Sequence, residues 1–110
     1  MKTHARGRKV AFLAIWEFYV QPQKRRAFER AYGPQGAWAK LFQAGRGYIR
    51  TELIRDLRSA NRYITLDYWQ SRRQYEAFRK NNGEAYLALD QKCAALTTKE
   101  TEIGRFTTKW

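Results

Sequence analysis

Two side chains that dominate enzyme chemistry are nearly missing from this 110-residue chain, which holds one histidine, His4, and one cysteine, Cys93. A zinc site of the Cys/His kind needs three or four ligands, so these two residues cannot form one. One cysteine closes no intrachain disulfide, which excludes a disulfide-stapled scaffold. A Ser-His-acid triad would have to recruit His4 from a basic tail. Acids are scarce as well, 10 Asp+Glu against 22 Lys+Arg, and they form no cluster suited to a carboxylate metal site. Long apolar runs are absent too. The run Val10 to Trp16 is too short to span a bilayer. It follows the basic stretch Met1 to Lys9 as in a signal peptide, but Glu17 ends it and no small-residue cleavage site follows. The expectation is a cytoplasmic protein with no metal, no cofactor and no membrane span.

Hydrophobic residues make up 44% of the chain and aromatics 15%, enough for one packed core and too many for a disordered segment. The reading is a flexible basic arm over 1–9 and a single domain over 10–110. The formal net charge is +12. Such a balance favours anionic partners, nucleic acid included, although charge spread along the whole chain is more simply a solvated surface.

The chain also resembles itself at an offset of fifty. Glu17-Phe18-Tyr19 meets Asp67-Tyr68-Trp69, Ala27-Phe28 meets Ala77-Phe78, Gly33 meets Gly83, and Thr51-Glu52-Leu53 meets Thr101-Glu102-Ile103. A repeat of that period implies duplicated supersecondary units. Each half opens with a β-branched and aromatic strand, Val10 to Val20 and Arg62 to Trp69. A helix entrance follows at Pro22 or Ser71, then helix-spaced apolar residues and a glycine break. Second helices are expected over Ala37 to Ala44 and Glu84 to Leu96, and closing strands over Tyr48 to Arg55 and Glu100 to Phe106. This order, β-α-β-β-α-β with split helices, is the ferredoxin-like α+β fold, an antiparallel sheet with helices on one face. The first and third strands take the centre. The uncovered face still carries apolar side chains, so a homodimer packed sheet on sheet is expected.

Pro22, Trp69-Gln70-Ser71 leading into an amphipathic helix, Phe28-Glu29, Tyr32-Gly33, Trp38, Leu41-Phe42 and Thr51-Glu52-Leu53 together resemble the antibiotic biosynthesis monooxygenase family. The resemblance covers roughly Phe12 to Phe106. It implies a dimeric α+β barrel, oxidation of planar aromatic substrates by O2, in some members without metal or flavin, and a cleft lined by Trp69. Haem-degrading relatives use an Asn on the first strand and a His on the second-half helix. This chain has no Asn between Phe12 and Val20 and no His after His4, which argues against haem chemistry of that kind.

Strand alternation and the repeat suggest that Glu17 and Asp67 are neighbours on one face, with Thr65 and Thr51 close by. Two carboxylates so placed would share a proton and suit general acid-base work. Alternatively each pairs with an arginine, such as Arg50 or Arg105. The candidate catalytic residues are thus Trp69, Asp67 and Glu17, and the candidate substrate-binding residues Trp38, Thr65, Tyr75 and Tyr86. Three functions compete. The first is a cofactor-independent monooxygenase acting on a small planar aromatic or polyketide-like ligand. The second is a non-catalytic dimeric module that binds a ligand or stabilises a larger assembly, which predicts a pocket filled by its own side chains and both acids in ion pairs. The third is a nucleic-acid binder, whose binding would be unspecific. The third strand, Arg62 to Tyr68, lacks the glycines of an RNA-recognition motif and carries an acid.

Overall fold

The computed structural model describes residues 9–109; most of the expected basic arm lies outside them. Ten elements follow in order. Strand β1 is Phe12–Val20, a 3-10 turn occupies Pro22–Lys24, and helices α1 (Arg25–Tyr32) and α2 (Ala37–Phe42) precede β2 (Tyr48–Arg55). Strand β3 is Arg62–Trp69, followed by α3 (Arg72–Asn81), α4 (Gly83–Cys93), a 3-10 turn at Ala94–Leu96, and β4 (Thr97–Thr107). The sheet order is β2-β3-β1-β4 with every pair antiparallel. The fold is ferredoxin-like α+β, with β1 and β3 central. No helix among the described residues is long and apolar enough to cross a membrane.

Local chemistry explains the boundaries. Ser71 sits in extended backbone and its hydroxyl accepts from Gln74 N at 3.1 Å, satisfying a donor at the start of α3. Pro22 opens the turn before α1, where its missing N–H costs nothing. Helix α2 stops at Phe42, two residues short of the expected end, in turns closed by Ala44 N and Gly45 N. Gly45 has no alternative there, because a Cβ would lie 2.9 Å from the Trp69 ring. Helix α4 tightens into a 3-10 turn at Ala94, so β4 begins at Thr97 rather than Glu100.

The register corrects one expectation. Phe12 faces Trp69, Ala14 faces Asp67, Trp16 faces Thr65 and Phe18 faces Tyr63. Even-numbered residues of β1 therefore share a face with odd-numbered residues of β3. Glu17 faces Ile64 and points away from Asp67. The repeat holds at fifty in the helices, where Phe28 and Phe78 are both buried. In the strands it is out of phase by one, and a one-residue slip exchanges the two faces of a strand.

Phe12, Ala14, Phe18 and Val20 of β1 meet Tyr63 and Trp69 of β3 beneath Phe28, Tyr32, Trp38, Phe42, Tyr75 and Phe78 of the helices. Burying each such aromatic side chain stabilises the fold by about 1.5–3 kcal/mol. The opposite face carries Leu13, Ile15, Ile64, Leu66 and Tyr68, half-buried, with Ile54 more exposed. Glu17 belongs to that face. It accepts from Arg62 Nε at 2.7 Å, and Arg62 also reaches Asp56 at 3.1 Å.

Candidate functional site

Between the helix-covered face of the sheet and the helices lies a cavity of about 160 Å³. Its inner wall is Phe18, Thr65 and Asp67 from the central strands, Thr51 from β2, and Tyr32, Trp38 and Phe42 from the first two helices. All seven are buried. Its outer wall is Trp16, Arg79, Tyr86 and Asp90, which are half-buried, and Glu100, which is exposed. The cavity thus runs from a buried carboxylate to an acidic mouth.

Asp67 is 6% exposed. Its Oδ1 accepts from Thr51 Oγ1 at 2.7 Å, and Thr51 in turn shares a 2.8 Å hydrogen bond with the Tyr48 hydroxyl. No arginine or lysine among the described residues forms an ion pair with it. Burial therefore wins over the Thr51 hydrogen bond and pushes the Asp67 carboxyl up to about 7. Such a group gives and takes a proton at neutral pH. Burial likewise raises the Tyr86 and Tyr32 hydroxyls and the Cys93 thiol, so these stay protonated. Glu100 is also raised, by burial and then by Asp90 nearby.

Among the described residues Arg79 is the one cation in the lining. Its Nη1 donates to the Tyr75 hydroxyl at 2.9 Å and its guanidinium lies 3.9 Å over the Tyr86 ring. Trp38 packs edge-on to Tyr86 at 4.9 Å between ring centres.

Asp67, Thr65, Trp38 and Tyr86, all named from the sequence, meet around this cavity. Three other candidates do not. Trp69 is fully buried behind it, held by the rings of Phe42, Tyr48, Tyr75 and Phe78 at 5.3–6.0 Å. As the last residue of β3 it lies over the helix crossing, where packing claims its whole surface. Tyr75 packs tilted against Phe12 and edge-on against Trp69, and it reaches the cavity through its hydrogen bond from Arg79. Glu17 is on the other face of the sheet, in an ion pair, as one reading of the acids anticipated. Trp16, Arg79, Asp90 and Glu100 were missed. Trp16 was legible as a face-mate of Phe18, but choosing the wrong face of β1 removed it. Nothing local in the sequence marks Asp90 and Glu100, which converge only through the sheet edge.

A ferredoxin-like sheet with an aromatic cavity under its helices, closed by one buried carboxyl, defines a class of small α+β domains. Residues 11–88 match the antibiotic biosynthesis monooxygenase family, and the chain belongs to it. Among solved structures it is similar to a variant of SnoaB, a cofactor-independent oxygenase from Streptomyces nogalater. Identity there is 20%, coverage 90% of this chain and 93% of that one, and TM-score 0.65. A dimeric ferredoxin-like protein from an uncultured marine organism aligns at 14% identity over 98% of this chain and 96% of its own, TM-score 0.69. A conserved protein from Methanosarcina mazei aligns at 16% identity over 91% and 94%, TM-score 0.67. At these identities the likeness concerns the fold. No curated protein matches the sequence.

Proposed function

We propose that this protein is a cofactor-independent monooxygenase that oxidises a small phenolic aromatic in the Asp67 cavity, working as a homodimer. The observation that carries the reading is Asp67 itself, a buried carboxyl with no cationic partner among the described residues, titrating near neutrality in an aromatic-lined cavity. A structural acid in a core is normally paired. One left unpaired beside empty space is suited to exchange a proton with a ligand.

The chemistry needs no external reductant. Asp67 takes the phenol proton and leaves an electron-rich phenolate. The phenolate passes four electrons in total to O2. A ring C–H bond ortho or para to the oxygen breaks, one oxygen atom becomes the new quinone carbonyl, and the other leaves as water. The proton held by Asp67 returns to the departing oxygen. Phenol plus O2 equals quinone plus water, in atoms and electrons. Burial favours the first step, because the site exchanges charge between two groups instead of creating it.

Size supports a small substrate. A cavity of about 150 Å³ holds benzene, so one ring fits inside and a polyketide-like ring system would extend past Tyr86 to solvent. The homodimer is supported by the apolar outer face of the sheet and by the dimeric ferredoxin-like relative. The open cavity also sets this reading above a non-catalytic module with a filled core. An oxygen-electrode assay with mono- and bicyclic phenols tests it. Oxygen uptake that is lost in Asp67→Asn supports the proposal; uptake unchanged in that variant, or no uptake with any phenol, defeats it.

A further inference from the structure

We infer that the cavity is built for a protonated aromatic amine, one ring with a hydroxyl at the Asp67 end and an ammonium group at the Asp90–Glu100 end. This rests on the phenol-oxidising reading above and narrows its substrate class.

The charge distribution is the first ground. Across the chain, basic residues outnumber acids 22 to 10. Among the described residues of the cavity wall the ratio inverts, with Asp67, Asp90 and Glu100 against Arg79. A general solvated surface would not invert its own composition at an aromatic-lined hollow.

The second ground is pairing. The ion pairs among the described residues engage Glu17, Glu52, Asp56, Glu76 and Glu102. None engages Asp67, Asp90 or Glu100. Asp90 instead lies near enough to Glu100 to oppose the ionisation of Glu100. Two like charges at one mouth gain from a cation between them. Arg79 does not fill that place: it forms an ion pair with neither acid, its Nη1 donates to Tyr75 and its guanidinium lies over Tyr86.

The third ground is the aromatic wall. Trp16, half-buried, lines the mouth with Asp90 and Glu100, and an indole ring attracts an ammonium group desolvated against it. Deeper in, Asp67 and Thr65 line the buried end, where Asp67 takes the proton of a ring hydroxyl. The two ends of the cavity therefore ask for different groups on one molecule.

The test compares three ligands of one shape by titration calorimetry at neutral pH. They are tyramine, uncharged 4-ethylphenol, and anionic 3-(4-hydroxyphenyl)propionate. Tyramine should bind at least about tenfold more tightly than 4-ethylphenol, equivalent to about 1.4 kcal/mol, and the propionate most weakly. The double variant Asp90→Asn, Glu100→Gln should erase tyramine's advantage over 4-ethylphenol. Equal binding of tyramine and 4-ethylphenol, or an advantage that survives in the double variant, overturns the inference. In both cases the phenol-oxidising reading stands. Failure of all three to bind overturns the inference, and the oxygen-electrode assay with other phenols then decides the phenol-oxidising reading separately.

Discussion

The Thr51 hydroxyl donates to Asp67 Oδ1 at 2.7 Å, and among the described residues it is the only partner that opposes the effect of burial on that carboxyl. Each residue comes from a strand interior, Thr51 from β2 and Asp67 from β3, directly across from one another. Thr51→Val keeps the shape and removes the donor. The Asp67 titration should then move upward from about 7, because the hydrogen bond favours the charged form. Carboxyl bands in a pH-dependent infrared difference spectrum would show it; an unmoved midpoint contradicts the assigned role of Thr51.

Asp67 also gives stability a pH dependence of definite sign. Its folded pKa, about 7, lies above the usual carboxylate value of 3.8. The folded state holds the proton more tightly, so this contribution is full below about pH 4 and is lost as pH rises through about 7. Across that interval the loss amounts to roughly 4 kcal/mol at most. In Asp67→Asn this slope disappears. Urea unfolding of both proteins at pH 5 and pH 8 should show the variant gaining on the wild type at the higher pH.

Trp69 was expected to touch the ligand, and its burial changes what its substitution should do. Trp69→Ala removes a side chain enclosed by four rings and should cost about 3–5 kcal/mol. Trp69→Phe should cost less, and where the variant remains folded its ligand affinity should survive. Denaturant midpoints and calorimetry on the same samples separate stability from binding. Loss of binding in a fully folded Trp69→Phe would return Trp69 to the cavity.

Gly45 makes the neighbouring test. A Cβ there would sit 2.9 Å from the Trp69 ring and 3.0 Å from Phe78 Cβ, both immobile in the core. Gly45→Ala should therefore destabilise by about 1–3 kcal/mol, whatever alanine does for the unfolded chain. A thermal melt with no change would mean that the α2–β2 connection yields.

The homodimer can be broken from its centre. Leu66 lies on the outer face of β3 beside Ile15. Leu66→Arg should give a monomer by light scattering, with an unchanged far-UV spectrum. A wild-type protein that is monomeric at micromolar concentration removes the dimer from the proposal.

Much of this was readable beforehand, for identifiable reasons. Strand and helix order follow from short-range signals: Ser71 as a cap, Pro22 at an entrance, β-branched runs, glycine breaks. β2 and β3 start and stop where their composition says. Asp67, Thr65, Trp38 and Tyr86 were visible because an acid on an otherwise apolar strand and helix aromatics at regular spacing are local features. The face shared by β1 and β3 was not. It depends on register, which is set by the β2–β3 hairpin and by the length of the whole crossover, and a repeat matched on helices does not report it. Glu17 was misplaced for that reason. Asp90 and Glu100 depend on β4 returning beside β1, which brings Glu100 next to Phe18, and no sequence window contains both strands.

Strand β3 sends Thr65 and Asp67 into the cavity and Ile64, Leu66 and Tyr68 onto the opposite face. One backbone therefore serves ligand and neighbour in alternate residues, with no intermediate layer. Docking of a second copy cannot change the twist of this strand without moving the carboxyl on its reverse side. Any preference of the ligand for the paired state must be mirrored by tighter pairing when the ligand is bound, by the same factor. Occupancy and assembly would then be two readings of a single equilibrium, and a dilution series with and without ligand would measure how strongly they are tied.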